Sequence, residues 1–250
     1  MVPWPGVVVR RGRRYHRSMI TPHAPIALVI PALNEAASLP AVLAEWVASP
    51  EIVRVVVVDN GSTDDTARVS REGGAEVVTE PRRGYGSACL AGIQHLLDDP
   101  PEILVICDAD GADDPADLPS LLAPLRSGEA QLVVGSRTLG RAQRGALTPQ
   151  ARVGNRLATF LMAHLHHQHF TDLGPFRAIK FQALLRLGMV DPTWGWNVEM
   201  QLKALANGLK VVEIPVGYRR RLAGNSKISG DLRGATRAGI RILWAVWHYR

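Results

Sequence analysis

The sequence predicts an α/β domain built on a mostly parallel β-sheet with helices on both of its faces. Short runs of apolar, β-branched residues alternate along the chain with longer amphipathic segments, which is the pattern of βαβ units. The apolar fraction of 46% in 250 residues is enough for one substantial core. The same composition excludes a disordered chain, and a count of two cysteines excludes a disulfide scaffold.

The strands and helices are predicted in order from residue 26 onwards. The predicted strands are mostly apolar, as expected of strands covered on both sides: Ile26 to Ile30, Ile52 to Val58, Glu76 to Thr79, Ile103 to Cys107 and Leu132 to Val134. The helices between them are predicted over residues 35–48, 64–72, 86–98 and 115–126. Ligands of such sheets bind beyond the carboxyl ends of the strands, so the residues that follow each strand form the candidate site.

The two ends of the chain are basic. Residues 1–25 contain five arginines and no acid, and residues 210–250 contain nine Lys or Arg against two acids, in a chain of net charge +6. We expect residues 1–24 to be a flexible basic tail.

No window approaches the roughly 18 consecutive apolar residues of a membrane-spanning helix. We interpret Cys89 and Cys107 as buried thiols of a reducing compartment, and we expect a cytoplasmic location.

Polar loops follow the first two strands. Residues 31–35 read PALNE, and residues 59–65 read DNGSTDD. The carboxylate of Asp59 can accept hydrogen bonds from the N–H groups of a nucleobase edge, while Ser62 to Asp65 provide capping groups for the next helix. On spacing alone, ordinary turn and cap chemistry explains this second loop equally well.

The third loop, residues 82–88, is basic, contains glycine and precedes a helix. Arg83 and the backbone N–H of Gly84 are candidates for contact with an anion, because helix N-termini and glycine turns let backbone N–H groups approach one closely. The loop falls short of the full GxGxxG pattern, so it is weak evidence alone.

The fourth loop carries the strongest chemical signal. Asp108 and Asp110, one residue apart at a strand end, can hold a hard divalent cation through oxygen ligands and leave its other positions to water and a diphosphate. Such a cation neutralises the charge that develops on a phosphate leaving group. Asp113, Asp114 and Asp117 have the positions of helix-start acids, and we do not expect them to be ligands.

The loops, taken in order, resemble those of family 2 glycosyltransferases with the GT-A fold. The similarity is greatest to the branch with dolichyl-phosphate mannose and polyprenyl-phosphate glucose synthases, and it spans residues 26–230. Each motif is weak by itself, but the ordered series is specific. The matching segments are residues 29–35, 57–64, 84–86, 108–110, 134–137, 171–177, 195–200, 213–215 and 224–227.

The resemblance implies a UDP- or GDP-sugar donor and a Mg²⁺ or Mn²⁺ cofactor. It assigns metal binding to Asp108 and Asp110, and contact with the nucleobase to Asp59. Many relatives have Gln two residues after the second metal-loop aspartate, and this chain has Ala112, which implies fewer protein ligands. The nucleotide-binding residues it implies are Pro31, Leu33, Glu35, Asp59, Arg83, Gly84, Asp108 and Ala109.

The resemblance also implies a domain organisation. Residues 25–230 are expected to form a GT-A catalytic domain, in which residues 25–137 bind the nucleotide-sugar and residues 138–230 bind the acceptor. The catalytic residues expected within it are Asp110, Arg137, Asp172 and Glu199.

The acceptor half contains an excess of basic side chains near the expected site. Guanidinium and ammonium donors suit a phosphate acceptor, and the candidates are Arg177, Arg219, Arg221 and Lys227. A phosphate is already an anion, so catalysis would rest on positioning and electrostatics, and the resembling enzymes invert the anomeric centre. A hydroxyl acceptor would instead need a carboxylate base, either Asp172 or Glu199. A solvated strand end remains the alternative for Arg219 to Arg221.

The C-terminal segment, residues 231–250, is predicted to be an amphipathic helix. Apolar and tryptophan side chains interspersed with arginines suit a helix at an anionic membrane surface, here the inner face, and equally a helix packed on the domain. Those apolar residues are Leu232, Ile240, Leu243, Trp244 and Trp247.

Two other functions are alternatives to sugar transfer. A nucleotidyltransferase would carry a Gly-rich basic loop after the first strand, which residues 31–35 lack. An RNA-binding module using the basic ends would show salt-sensitive RNA affinity independent of Asp108 and Asp110. We expect a nucleotide-sugar and a lipid phosphate as partners and no nucleic acid, and the sequence does not predict the oligomeric state.

Overall fold

The computed structural model describes residues 25–167, 169–224 and 232–249, with side chains from residue 239 onwards in the last segment. The expected tail over residues 1–24, Lys227 and Asp231 lie outside the described residues. The elements in chain order are β1 (Ile26–Ala32), α1 (Leu39–Val47), β2 (Arg54–Asp59), α2 (Thr66–Glu72), β3 (Glu76–Thr79), α3 (Tyr85–His95), β4 (Ile103–Ile106), α4 (Leu118–Arg126), β5 (Leu132–Ala142), α5 (Pro149–His166), β6 (Arg177–Lys180), α6 (Phe181–Leu187), α7 (Trp196–Ala206), β7 (Val211–Tyr218) and α8 (Leu232–His248).

One sheet contains all of these strands, in the order β3-β2-β1-β4-β6-β5-β7. β6 runs antiparallel to both of its neighbours, and the other pairs are parallel. Helices cover both faces, which confirms the predicted architecture. One face packs on α1 and α4, and the other packs on α3, α6 and α7.

A third apolar cluster lies among α5, α7 and α8, away from the sheet. It contains Ala158 and Met162 of α5, Val198 of α7, and Ala245 and Val246 of α8, all of them fully buried. The C-terminal helix therefore packs on the domain through one face. None of the helices in the described ranges is both long enough and apolar enough to cross a bilayer.

The register of the parallel strands brings the polar loops together. Ala32 at the end of β1 pairs with Asp59 at the end of β2, and Val29 pairs with Ile106 at the end of β4. The loops after these three strands therefore start at the same edge of the sheet, as the sequence predicts.

The strands of the second half are those that the sequence pattern did not predict. β6 has four residues, too few to show a period, and β7 contains Pro215. Proline cannot donate to a ladder and is usual only on edge strands, and β7 is at the edge of the sheet. β5 extends beyond its predicted end at Val134 to Ala142. Its last six residues do not continue the apolar run and are half-buried or exposed, so the sequence pattern did not predict them.

Two glycines at the start of α3 allow a very close backbone approach. A Cβ at Gly84 would lie 2.1 Å from the carbonyl oxygen of Pro192, and one at Gly86 would lie 1.9 Å from that of Asp191. Real Cβ atoms do not approach a backbone oxygen this closely, so the loop before α7 and the start of α3 pack together only with glycine at these positions.

Replacing Gly86 with alanine is therefore expected to lower the free energy of unfolding by about 2 kcal/mol or more, because backbone on both sides must shift. Gly154→Ala in α5 is the matched control, since no atom lies within 4 Å of its Cβ position. Helix propensity predicts no loss, or a gain of up to about 1 kcal/mol, for that variant. Urea unfolding measures both, and equal stabilities would contradict the packing argument.

Candidate active site

The loops after β1 and β2 are joined by hydrogen bonds between their side chains and backbones. Asn34 accepts the N–H of Thr63 at 2.7 Å, and its own N–H donates to Ser62 Oγ at 2.9 Å. Asn34 has φ of +52°, a left-handed conformation that asparagine tolerates better than most residues. Glu35 N–H donates to Thr66 Oγ1 at 2.9 Å, which ties the loop after β1 to the start of α2.

Asp59 lies at the end of β2, beside this junction. Its Oδ1 accepts the N–H of Ser62 at 3.0 Å, and the residue is 9% exposed. Arg83 is exposed and donates to the carbonyl of Gly61 at 3.1 Å, which keeps it next to the same loop. Pro31 and Leu33 flank the end of β1 and are half-buried. These predicted nucleotide-binding residues thus lie around the carboxyl ends of β1 and β2, at one edge of the sheet.

Gly84 differs from its predicted role as an anion-binding turn. Its N–H donates to Asn60 Oδ1 at 2.7 Å, and the N–H groups of Gly86 and Ser87 donate to the carbonyls of Thr193 and Pro192. The backbone donors at the start of α3 are therefore bonded to protein oxygens. The glycines of this loop serve the close packing described above.

The loop after β4 gathers three carboxylates. Asp110 is 7% exposed and Asp113 is 2% exposed, while Asp108 is half-buried. Asp113 Oδ2 accepts the N–H of Asp108 at 2.9 Å, and its buried Oδ1 has no hydrogen-bond partner among the described residues. The prediction that Asp113 is only a helix-start acid was therefore wrong: its side chain turns back into the loop. No local pattern distinguishes it from Asp114, which does cap the next turn by accepting Ala116 N–H.

The electrostatics of this loop favour a bound cation. Burial, and then the negative charges of Asp110 and Asp113, raise the pKa of Asp108 well above its usual range. Burial and the neighbouring Asp110 raise the pKa of Asp113 to about 7. Among the described residues, no three His, Cys, Asp or Glu side chains are arranged to hold one metal ion together, so a cation here would keep positions for water and a diphosphate. Few carboxylate ligands and open positions are typical of Mg²⁺ sites.

Two further contacts tie this loop to the β1 loop. Ser38 Oγ lies 2.9 Å from both Glu35 Oε2 and the carbonyl oxygen of Ala109. Glu35 is 7% exposed. The hydroxyl has one proton and donates to one of these acceptors at a time, so it lies between the predicted nucleotide-binding residues Glu35 and Ala109.

Arg219 and Arg221 do not lie where an acceptor phosphate was expected. Arg221 Nη1 donates to both oxygens of Glu35 at 2.7 and 2.9 Å, and its Nη2 lies 3.2 Å from Asp110 Oδ2. Arg219 pairs with Glu45 and donates to the carbonyl of Asp113. Both guanidiniums therefore lie against the acidic loop, because the chain after β7 folds back along it.

The acceptor-half loop is built around a pair between Arg137 and Asp172. Arg137 donates to Asp172 through its backbone N–H, Nε and Nη2 at 2.7 to 2.8 Å. Although burial opposes the charged form, the bond to Asp172 raises the pKa of Arg137. Glu213 in turn accepts the N–H groups of Thr171 and Asp172. Glu213, which the sequence analysis assigned no role, therefore positions Asp172.

Three predicted roles in the acceptor half do not fit these contacts. Asp172 is 1% exposed and saturated by Arg137 and the N–H of Leu173, so it is not a free base. Glu199 is fully buried and accepts from Val190, Asp191 and Lys203. Arg177 is also fully buried, its Nη2 donates to the carbonyl of Gly174, and burial lowers its pKa. Burial keeps the Glu199 carboxylate and the Arg177 guanidinium from contact with an acceptor.

Comparisons with known proteins agree with this architecture. The family model described as glycosyl transferase family 2 matches residues 27–188. An uncharacterized glycosyltransferase of Mycobacterium tuberculosis is 46% identical over 211 residues, covering 84% of this chain and 92% of the relative. The undecaprenyl-phosphate mannosyltransferase of Micrococcus luteus is 29% identical over 243 residues, covering 88% of this chain and 96% of the relative.

A solved structure gives the fold. Glucosyl-3-phosphoglycerate synthase from Mycobacterium tuberculosis, crystallised with Mn²⁺, UDP and glucosyl-3-phosphoglycerate, superposes with a TM-score of 0.72. It is 22% identical, and the match covers 94% of this chain and 86% of that one. The GT-A architecture predicted from the sequence is confirmed by this similarity.

Removing the negative partner of Arg137 is expected to destabilise the protein strongly. Asp172→Asn leaves a mostly buried guanidinium unpaired, which typically costs about 3–5 kcal/mol in the free energy of unfolding. Asp65→Asn, which breaks an exposed pair with Arg68, is the control and should cost less than about 1 kcal/mol. Chemical unfolding of both variants measures the difference, and similar costs would show that the Arg137 pair does not hold this loop.

Proposed function

The chain belongs to glycosyl transferase family 2, and we propose that it moves a hexose from a UDP- or GDP-sugar to a polyprenyl phosphate or similar lipid phosphate, with inversion at the anomeric carbon. One observation carries the choice of acceptor. Residues 138–224 contain four carboxylates, Asp172, Asp191, Glu199 and Glu213, and each of them already accepts several hydrogen bonds.

This observation favours an acceptor that needs no deprotonation. A neutral hydroxyl must lose its proton to a base as it attacks, whereas a phosphate oxygen at neutral pH is already an anion. Residues 138–224 supply no uncommitted carboxylate, and the nearby cation Arg137, which precedes them in the chain, is paired with their Asp172. The chemistry then rests on in-line placement of the phosphate and on electrostatic stabilisation. The Micrococcus luteus relative, an undecaprenyl-phosphate mannosyltransferase, supports the same class of acceptor.

On the donor side, we propose that Asp59 contacts the base and that Asp108 and Asp110 hold Mg²⁺ or Mn²⁺ at the diphosphate. The buried, unpartnered Oδ1 of Asp113 adds negative potential at this position. The cation supplies neutralisation of the leaving nucleotide. Ser38, within hydrogen-bond distance of both Glu35 and Ala109, keeps the β1 loop next to the acidic loop so that both approach the nucleotide together.

The acceptor and the cation are tested in one assay. Purified protein is given UDP-glucose or GDP-mannose with Mn²⁺ and either a short polyprenyl phosphate or the matching polyprenol. We expect transfer to the phosphate alone, loss of transfer with EDTA and recovery on adding Mn²⁺. Asp110→Asn should lower kcat by about 100-fold or more, whereas Asp114→Asn, the same change at a capping residue of that loop, should lower it little.

Equal transfer to the polyprenol would refute the phosphate acceptor and leave a hydroxyl-directed family member as the alternative. Full activity of Asp110→Asn would refute the metal role. The anomeric configuration of the product, read by NMR from the C1 coupling, tests inversion independently of both.

We further propose that the protein works at the inner face of an anionic membrane, through α5 and α8. Neither helix contains an acid. Opposite its buried face, α5 exposes Val153, Leu157 and Phe160, and their exposed fractions are 67%, 44% and 62%. α8 repeats that spacing with Ile240, Trp244 and Trp247, which are 63%, 39% and 61% exposed. Apolar ridges beside arginines are typical of helices that lie at a lipid interface.

The ridge on α5 begins next to the acceptor loop. Asn155, between Val153 and Leu157, receives the N–H of Leu173 at 2.9 Å and donates to the carbonyl of Thr171 at 3.1 Å. Thr171 and Leu173 flank Asp172, the partner of Arg137. A lipid phosphate held at Arg137 would therefore have the ridge of α5 close by for its hydrocarbon chain.

Vesicle sedimentation tests this surface. Phe160→Ser and Trp247→Ser should each reduce binding to phosphatidylglycerol vesicles about threefold or more. Val53→Ser, an exposed apolar residue elsewhere that is 61% exposed, is the control and should not. Point variants are required because removing α8 would open the third apolar cluster. Unchanged binding of both ridge variants would contradict the membrane surface without affecting the transfer reaction.

A further inference from the structure

The position of Arg221 suggests a role that sugar transfer alone does not require. The residue lies beyond the end of β7, in the second half of the chain, and yet its side chain enters the acidic loop of the first half. Its guanidinium joins Glu35 and Asp110, which no other described cation contacts directly. Arg221 is 22% exposed at the side chain, and its two partners are 8% and 10% exposed.

The backbone around Arg221 holds it in this position. Arg219 N–H donates to the carbonyl of Ala112 at 2.7 Å, and Leu222 N–H donates to the carbonyl of Asp110 at 2.9 Å. Leu222 also covers Gly111, where a Cβ would lie 2.5 Å from its side chain. The segment from Arg219 to Leu222 thus runs along the acidic loop like an added strand.

Each carboxylate oxygen of Asp110 already has a partner that a metal ion would meet. Its Oδ1 accepts the N–H of Ala112 at 2.9 Å, within the loop, and its Oδ2 is the oxygen that faces Arg221 Nη2 at 3.2 Å. Mg²⁺ binds carboxylate oxygen at about 2.0–2.1 Å, so it would compete directly with the guanidinium for Oδ2. Two cations on one oxygen would also repel each other strongly in a site of low dielectric.

We propose that Arg221 is a tethered counter-ion of the metal site: it neutralises Asp110 until a divalent cation takes its place, so that cation binding and release of Arg221 from Asp110 are one exchange. The inference rests on the proposed metal site at Asp110. After the exchange Nη1 keeps its two bonds to Glu35, so Arg221 remains beside the donor. The exchange keeps the buried carboxylates from facing one another without a cation. Because the metal must displace Arg221, free metal binds more weakly.

The test is the affinity for Mn²⁺ alone, without nucleotide, measured by the EPR signal of free Mn²⁺ during a titration. Arg221→Gln should bind Mn²⁺ about fivefold or more tightly than the unmodified protein, because the competitor is gone. Arg219→Gln is the matched control: it removes the same charge from the same segment, near the same loop, but has no bond to Asp110. It should leave the affinity within about twofold, since long-range charge effects are screened.

The sign of the change separates exchange from a structural role. Weaker or unchanged Mn²⁺ binding by Arg221→Gln would overturn the exchange, and so would an equal gain in Arg219→Gln, which would indicate a general charge effect. Arg221→Lys, with a single compact ammonium, should bind Mn²⁺ with intermediate affinity and guards against a folding defect in the Gln variant. Asp110→Asn tests the metal site itself: unchanged Mn²⁺ binding there would reject the proposed function's cation, whatever Arg221 does.

Discussion

The acidic loop after β4 is the feature on which the rest of this structure depends. Asp108, Asp110 and Asp113 lie within six residues at one strand end, largely out of water. The charges of Asp110 and Asp113 raise the pKa of Asp108, and the charge of Asp110 raises that of Asp113. Such a loop is stable only where positive charge is brought to it. The chain supplies that charge from distant positions, with Arg137 and Arg221 both lowering the pKa of Asp108 against this trend. Arg221 therefore brings positive charge from the second half of the chain to the acidic loop of the first.

The loop around Asp172 shows the opposite arrangement, in which acidic side chains position a basic one. Glu213 orders the backbone of Thr171 and Asp172, Asp172 then fixes Arg137, and Arg137 also lies 5.1 Å from the centre of the Tyr218 ring. Each step consumes the hydrogen-bonding capacity of a carboxylate. The result is a guanidinium held rigidly in its pair with Asp172.

The sequence predicted well what depends on local pattern. Apolar runs located β1 to β5, and the rule that parallel strands place their loops at one edge located Asp59, Asp108 and Asp110. It predicted poorly what depends on tertiary partners. Arg177 and Arg221 are both arginines of the second half of the chain. Arg177 is fully buried, whereas Arg221 pairs with Asp110 of the acidic loop. Asp113 and Asp114 are adjacent, and only the backbone path decides which caps a helix. Gly84 had the composition of an anion turn, whereas its environment makes it a packing residue.

The antiparallel strand in the middle of the sheet has a consequence for how the chain folds. β6, residues 177–180, is inserted between β4 and β5, although β4 ends at residue 106. The edge of β4 therefore stays unpaired during synthesis until the polypeptide through Lys180 has left the ribosome. Pairing between strands so far apart in sequence is slow, because the entropy cost of closing the loop comes before the strand contacts can offset it. The nascent nucleotide-binding half thus exposes an apolar strand edge for that interval, which makes it a candidate client for chaperones and a point of vulnerability to aggregation.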